Sequence, residues 1–164
     1  MSEGARIAAR LRAAIDEGAA LFEGASEDKT GRRPAAGSWC AREVIGHLID
    51  SACNNQRRFV VNQHTERLAI DPYDQEAWVS ASDHARTPAT ELVPTWRAYN
   101  RQIARIIERI PDETLNQPRG PIGDYQFPYV DYRPSDSATL RDLIEDYVGH
   151  IHHHLGQIRG LLRS

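Results

Sequence analysis

The sequence contains little cysteine, and this limits the kinds of site that it can build. Its 164 residues include two cysteines, Cys40 and Cys53, which do not form a CxxC pair. On one helix they would lie about 20 Å apart, at roughly 1.5 Å per residue, which is too far for a disulfide. A cysteine-based zinc knuckle is excluded as well. Histidine is therefore the only soft metal ligand present in any number.

The chain also lacks an excess of positive charge and a long apolar run. Its 20 Lys and Arg stand against 23 Asp and Glu, for a formal charge of -3. Without a basic run, we expect no nucleic-acid partner. The first 18 residues carry acids where a secretion signal needs an unbroken apolar stretch. We therefore expect a cytoplasmic protein with no membrane partner.

Four segments place apolar residues at helical spacing, and none alternates convincingly as a strand does. They cover residues 3–22, 40–61, 88–110 and 140–162. Four amphipathic helices of this length bury their apolar stripes most economically against each other. The sequence therefore predicts an all-α fold, a four-helix bundle with two long inter-helix loops, in a single domain that covers residues 1–164.

Local signals mark the starts of two predicted helices. Thr139 and Asp142 have the spacing of a capping box, and Thr87-Pro88 places proline at a first helical position. Pro94 lies inside the third predicted helix, so we expect it either to bend that helix or to mark its true start.

The two long connections, residues 61–86 and 111–137, exceed the usual loop length, and such loops are commonly functional or disordered. The second loop holds four aromatic residues within eight positions, which argues against disorder. We expect it to pack over one end of the bundle. The aromatic residues are Tyr125, Phe127, Tyr129 and Tyr132.

Four histidines lie within five positions of the last predicted helix. Because each helical residue turns by about 100°, His150 and His154 share a face, whereas His152 points away from it. An i, i+4 pair is the arrangement by which helices chelate a transition metal. His150 with His153 forms a weaker competing pair. His152 and His153 are expected on the surface with no role.

Two ligands hold a transition metal poorly, and His47 is the candidate for a third. It lies at the edge of the apolar stripe of the second predicted helix. Three histidines leave a metal position for water or substrate, which is a catalytic pattern. A histidine beside an apolar stripe is also a common hydrogen-bonded core residue, and this alternative stays open. His64 and His84 lie in the first long loop, and nothing in their positions indicates that they bind a metal.

Two segments together resemble the DinB/YfiT-like superfamily. Members begin the second helix with R-P-x-x-G-x-W-S-x-x-E-v-x-x-H-L and close the last one with H-x-x-x-H-x-x-Q. The resemblance extends over nearly the whole chain, with residues 92–115 similar to the third helix of the family and the turn after it. The matching residues are Arg33, Pro34, Gly37, Trp39, Glu43, His47 and Leu48 in the first motif, and His150, His154 and Gln157 in the second.

The resemblance implies a four-helix bundle with a three-histidine site for a divalent metal, most commonly nickel or zinc, and often a homodimer. By matched position the ligands would be His47, His150 and His154. One departure is Cys40, which stands where the family usually has serine. A serine there would cap the helix, and Glu43 would complete the capping box, so we expect Glu43 to be structural and Cys40 to be a poorer cap.

Relatives of this kind include transferases and isomerases that use low-molecular-weight thiols, so the resemblance also suggests a thiol co-substrate. A metal would lower the pKa of that thiol and present a thiolate to a small electrophilic substrate. Metal-activated water could equally drive hydrolysis, and the sequence identifies no catalytic residue. Four polar residues near the proposed ligands are candidates to orient imidazoles or substrate. They are Asp50, Asn54, Asp146 and Gln157.

Three hypotheses follow. A metal-dependent transferase or hydrolase requires an open metal position and a pocket lined by the loop at residues 112–138. A non-catalytic metal-binding stress or sensor protein requires a closed coordination shell and no pocket. A bundle with purely structural histidines requires no metal at all.

Overall fold

The computed structural model describes residues 1–133 and 136–163, and within this part of the chain all regular structure is helical. The four long helices confirm the predicted four-helix bundle, and their bounds agree with the predicted ranges to within two residues. Three short helices lie between them. In chain order the helices are α1 Glu3–Leu21, α2 Glu27–Gly31, α3 Ala41–Val61, α4 Gln75–Ala81, α5 Ala89–Glu108, α6 Asp112–Asn116 and α7 Leu140–Arg163.

The long helices pack around one apolar core. Helix α5 lies along both α1 and α3, and α7 contacts α3 and α1. Every long helix contributes aliphatic side chains to this core, which also holds the fully buried rings of Trp96 and Phe59. Burial of these stripes is the main source of stability, since most helical stability in proteins comes from the tertiary packing of an apolar face.

The start of α7 is fixed by the predicted capping box. The amide and hydroxyl of Thr139 donate to Asp142 Oδ2, at 2.9 and 2.7 Å, and the Asp142 amide donates to Thr139 Oγ1 at 3.1 Å. This cap determines where the helix that carries the histidine cluster begins.

The structure corrects the prediction for Pro88 and removes one of the two alternatives for Pro94. Pro88 occupies the N-cap position of α5, one residue before the first helical position. Pro94 lies inside α5, which begins five residues earlier at Ala89, so Pro94 does not mark the helix start. The helix continues through this proline because the apolar face on either side, at Leu92 and Trp96, is buried in the bundle.

The two predicted loops are less irregular than expected. The first contains α4 and the second contains α6, helices of seven and five residues that are too short to show a periodic apolar pattern. The aromatic segment of the second loop packs on the bundle as expected. Phe127 joins the core, with the rings of Tyr125 and Tyr132 edge-on to it at centroid distances of 5.5 and 5.0 Å.

Neither cysteine forms a disulfide: Cys40 is buried and Cys53 is exposed, both as free thiols. None of the helices that the structure describes combines the length and the apolar character needed to cross a lipid bilayer.

We predict that Gly18→Ala destabilises the bundle. A Cβ atom at Gly18 would lie 2.5 Å from Trp96 and 2.8 Å from Leu155, so these buried side chains would have to shift. Overpacking of this kind typically costs about 1 to 3 kcal/mol. Gly160→Ala on α7 is the matched control, because its Cβ would meet nothing within 4 Å and should stabilise the helix by about 0.5 to 1 kcal/mol. Urea denaturation measures both, and equal effects of the two substitutions would contradict the packing.

Candidate metal centre

Three histidines from two helices converge. His47 comes from α3, and His150 and His154 come from successive turns of α7. One nitrogen of each ring lies within 4.8 Å of those of the other two, and the Nε2 atoms of His47 and His150 are 3.1 Å apart. The ring centroids are 4.5 to 5.1 Å apart. The structure thus brings together the three residues that the sequence singled out, while their role as ligands remains a prediction.

Burial keeps these imidazoles uncharged. It lowers the pKa of His47 to about 4, and the neighbouring histidine charges add to this effect. Burial likewise lowers the pKa of His150 and of His154, although the hydrogen bond that His154 donates to Gln157 opposes the shift at His154. Near neutral pH each ring is therefore neutral and keeps one nitrogen lone pair, which is the form that binds metal.

The orientation of the rings fits a metal ion. His154 Nδ1 lies 2.9 Å from Gln157 Oε1, so this nitrogen carries the proton and Nε2 keeps its lone pair. Two nitrogens bound tetrahedrally to one zinc ion at roughly 2.0–2.1 Å are about 3.3 Å apart, close to the separation of the His47 and His150 nitrogens. Among the described residues His47 Nδ1 is buried without a hydrogen-bond partner, so Nε2 is the nitrogen of this ring that faces the cluster. A metal ion between the Nε2 atoms of His47 and His150 would use both lone pairs, whereas without it the two atoms can share only one proton.

The four polar candidates have different roles. Gln157 contacts a ring of the cluster, as expected. Asn54 does not, because its amide donates to the Asp50 carbonyl within α3. Asp50 does orient an imidazole, but it is that of His84, with Oδ2 3.0 Å from Nε2.

His84 is the residue that sequence reasoning missed. It is buried and pairs with buried Asp50, although it lies in the connection after α4. The ring packs against Gly46, where a Cβ atom would come within 2.2 Å of it. The only sequence signal was Gly46 itself, a glycine next to His47 in the middle of a helix, which can mark close approach by another group. The pair holds this connection against the helix that carries His47.

A cavity of about 420 Å³ opens beside the histidine cluster, in the size range of small-molecule sites. It runs between α3 and α7, and both long connections contribute to its wall. The second connection lines it as predicted, through residues 125, 126, 128 and 129, and the first adds Tyr73 and Gln75. The enzyme hypothesis requires such a pocket. The hypothesis of a non-catalytic metal-binding protein, with a closed coordination shell, requires that there be none.

Tyr129 links the second connection to the cluster. Its ring lies 6.0 Å from that of His150 and 5.6 Å from that of His153. Its Cβ atom packs on Gly149, where a methyl group would come within 2.4 Å. His153 is exposed, as predicted, but it lines the cavity, so the expectation that it has no role is not supported by its position. His152 is exposed.

Asp146 is the acidic side chain of the cavity wall, one helical turn before His150. Its Oδ1 accepts a hydrogen bond from the Tyr129 amide at 2.9 Å. Burial nevertheless raises the pKa of this carboxyl to about 6, and that hydrogen bond only partly offsets the effect. A carboxyl group with this pKa can accept and release a proton near neutral pH.

The start of α3 fixes the position of His47. Glu43 Oε2 accepts from the Cys40 amide at 2.9 Å, which is the capping-box bond expected of this residue, and Glu43 Oε1 pairs with Arg33. The Trp39 ring packs on His47 with centroids 5.2 Å apart. The residues of the first motif therefore secure the helix end and one face of the first imidazole.

These features define a helical-bundle protein with three histidines, on two helices, facing a small-molecule cavity. The chain belongs to the DinB superfamily, whose family model matches residues 10–158. It is 32% identical over 130 residues to "Putative metal-dependent hydrolase YfiT" of Bacillus subtilis (strain 168), covering 77% of this chain and 66% of that protein. A Bacillus pumilus (strain SAFR-032) protein, "Putative metal-dependent hydrolase", is 29% identical over 129 residues, with the same coverage. The chain thus spans just under two thirds of the length of these relatives.

A solved structure of YfiT from Bacillus subtilis, described as "a probable metal-dependent hydrolase with an unusual four-helix bundle topology", has a similar fold. The TM-score is 0.78, at 22% sequence identity, over 99% of this chain and 89% of that one. This likeness supports the bundle assignment.

The raised pKa of Asp146 predicts a pH-dependent stability difference in the metal-free protein. Because the pKa of Asp146 is about 6 in the folded state and 3.8 ordinarily, the folded protein binds more protons than the unfolded chain between about pH 4 and pH 6. The stability contributed by this carboxyl is therefore lost as the pH rises through about 6. Asp146→Asn removes this titration. Its free energy of unfolding relative to the wild type should therefore increase by about 2 to 3 kcal/mol as the pH is raised from about 4 to about 7. Chemical denaturation at both pH values measures this, and a constant difference would contradict a buried carboxyl.

Proposed function

We propose that the chain binds a divalent transition metal, nickel or zinc, through His47, His150 and His154, and that it is an enzyme acting on a small molecule in the adjoining cavity. The observation that carries this proposal is the convergence of three neutral imidazoles at the wall of that cavity. When bound, the metal supplies Lewis-acid polarisation and lowers the pKa of a nucleophile. Three protein ligands leave room for that nucleophile.

The residues around the cluster would orient a ligand, transfer a proton and form the wall of the cavity. Gln157 fixes the ring of His154 by accepting a hydrogen bond from its Nδ1–H group. Asp146, which lines the cavity and accepts a hydrogen bond from the Tyr129 amide, would accept the proton of the attacking nucleophile and pass it to the leaving group. Residues of the two long connections form part of the cavity wall in which the substrate would lie.

Hydrolysis is the first candidate reaction, and the names of the relatives support it. Water would attack the electrophilic centre of the substrate and form the new bond to oxygen. Asp146 would take the proton, and the bond to the leaving group would break as that group received it. All of this needs only one bound substrate, which the cavity can accommodate.

Thiol transfer is the second candidate, and a second cavity favours it. A groove of about 580 Å³ lies between the segment at Gly37 to Trp39, helix α4 and helix α7. It shares Gln75, His153 and His154 with the cavity of about 420 Å³, here called the inner cavity. A low-molecular-weight thiol in the groove and an electrophile in the inner cavity would meet at the histidine cluster. The thiol sulfur would bond to the electrophile, its proton would pass to Asp146, and the leaving group would depart. Homodimer formation and a cytoplasmic location stay predictions.

The metal proposal predicts a specific pattern of metal loss. The untagged wild type should carry close to one nickel or zinc ion per chain. His47→Ala, His150→Ala and His154→Ala should each lose it, because two imidazoles hold such an ion poorly. Elemental analysis after gel filtration measures the content. His152→Ala is the control, since this exposed histidine lies on the same helix and should keep full metal. If the wild type binds no metal even when nickel, zinc and manganese are supplied, the proposal is wrong and the histidine cluster serves only in packing.

The nucleophile can be identified with two simple substrates. We expect the metal-loaded protein either to hydrolyse a nitrophenyl ester without added thiol or to displace halide from an activated aryl halide only when a thiol is present. Asp146→Asn should lower kcat by about 10²-fold or more in whichever reaction occurs, with a smaller effect on KM, as for a general base. Absorbance assays of both reactions, over a range of pH, measure this. An unchanged kcat in Asp146→Asn would remove its assigned role.

A further inference from the structure

The end of the inner cavity opposite the histidine cluster contains a buried arginine. Arg58 is only 6% exposed, yet it lines the cavity. Its guanidinium donates to the main-chain oxygen of Asp71 and, at 3.4 Å, to Asn55 Oδ1. Both acceptors are neutral. Within the described part of the chain, no carboxylate lies within ion-pair distance of Arg58.

The carboxylate of Asp71, whose main-chain oxygen accepts from Arg58, pairs with a different arginine. Asp71 Oδ2 pairs with the neighbouring Arg57 on the protein surface, at 2.7 Å. Asp71 therefore contacts Arg58 through its main-chain oxygen and not through its carboxylate. A buried guanidinium without a counter-charge is unfavourable, and Arg is the residue best suited to bind a carboxylate with two parallel hydrogen bonds.

Neutral hydrogen-bonding groups surround the arginine. The phenols of Tyr73 and Tyr125 both interact with its charge. Asn55 and Ser51 lie between it and His47 on the cavity side of α3. The arrangement is that of a polar pocket with one cation and several donors, which suits an anionic group better than an apolar one.

The helix geometry gives the spacing between this pocket and the cluster. His47, Ser51, Asn55 and Arg58 are the α3 residues of the cavity wall, and their spacing of four, four and three places them on one face. The side chain of Arg58 reaches back one turn to Asn55. The guanidinium therefore lies about 12 Å along the helix axis from His47, at roughly 1.5 Å per residue.

We propose that Arg58, with the hydroxyls of Tyr73 and Tyr125, binds a carboxylate of the substrate, and that the substrate is an elongated molecule whose reacting group lies about 12 Å from that carboxylate. This inference rests on the proposed function, because it takes the histidine cluster as the reacting end. The substrate class is an acidic small molecule with an electrophilic centre at its other end.

Straight-chain dicarboxylates, from succinate to dodecanedioate, test the spacing. In the nickel-loaded protein one carboxylate can bind the metal while the other reaches Arg58. We expect calorimetric titration to show that a longer member binds at least tenfold tighter than the monocarboxylate of the same length, and that short members show no advantage. Arg58→Met should abolish the advantage, whereas the matched control Arg57→Met, at the exposed neighbour, should keep it.

A second variant guards against misfolding, because Arg58 also ties the first connection to α3. Arg58→Lys keeps the charge but loses the forked geometry, and it should reduce the advantage to a few-fold. If no chain length shows an advantage, or if both Arg58 variants keep the full tenfold, the proposal is wrong.

A metal-independent measurement separates this proposal from the proposed function. In the metal-free protein, the Nε–H signal of Arg58 in a nitrogen-15 NMR spectrum, assigned by its loss in Arg58→Met, should shift saturably with decanoate while that of Arg57 does not. A shift in a protein that fails to bind nickel would support the carboxylate pocket and overturn the proposed function. The absence of any shift in the folded metal-free protein would overturn the pocket.

Discussion

The architecture of the site depends on the packing of α3 against α7, which forces three imidazoles into a space too small for three positive charges. Burial lowers the pKa of each ring, so the rings remain neutral near neutral pH. Neutral rings can share a metal ion, whereas protonated ones would repel each other across the interface of the two helices. The same packing creates the cavity, because its two long walls are the faces of these helices.

Several features outside the cluster serve to hold this interface in place. The capping box at Thr139 and Asp142 sets the start of α7, and Glu43 sets the start of α3. The His84–Asp50 pair fastens the first connection to α3, and the Tyr129 amide fastens the second to α7 through Asp146. Helix ends and connections therefore act together to position the histidines, and rigid support of this kind is what a metal site needs.

The sequence predicted the parts of this structure that follow from periodicity. Apolar spacing located all four long helices, and the 100° turn per residue separated His150 and His154 from His152. Glu43 and Gln157 were found because their roles are local, within three residues of their partners. The family resemblance selected the same histidines and is consistent with the match to the DinB superfamily.

The parts that were missed depend on long-range packing. The Asp50–His84 pair joins residues 34 positions apart, and no local pattern indicates that a loop histidine is buried. Helices α2, α4 and α6 are too short to show a period. Arg58 reads as one of two adjacent surface arginines, and only the fold shows that one is exposed and paired whereas the other is buried and faces the cavity.

We propose that the three histidines share one metal ion beside a substrate cavity, and X-ray absorption spectroscopy of the zinc- or nickel-loaded protein is the experiment to make first. We expect three imidazole nitrogens as metal ligands, at roughly 2.0–2.1 Å for zinc, together with at least one oxygen ligand that an added thiol or carboxylate can replace. A shell with fewer than three imidazoles, or one that no added ligand can enter, would contradict it.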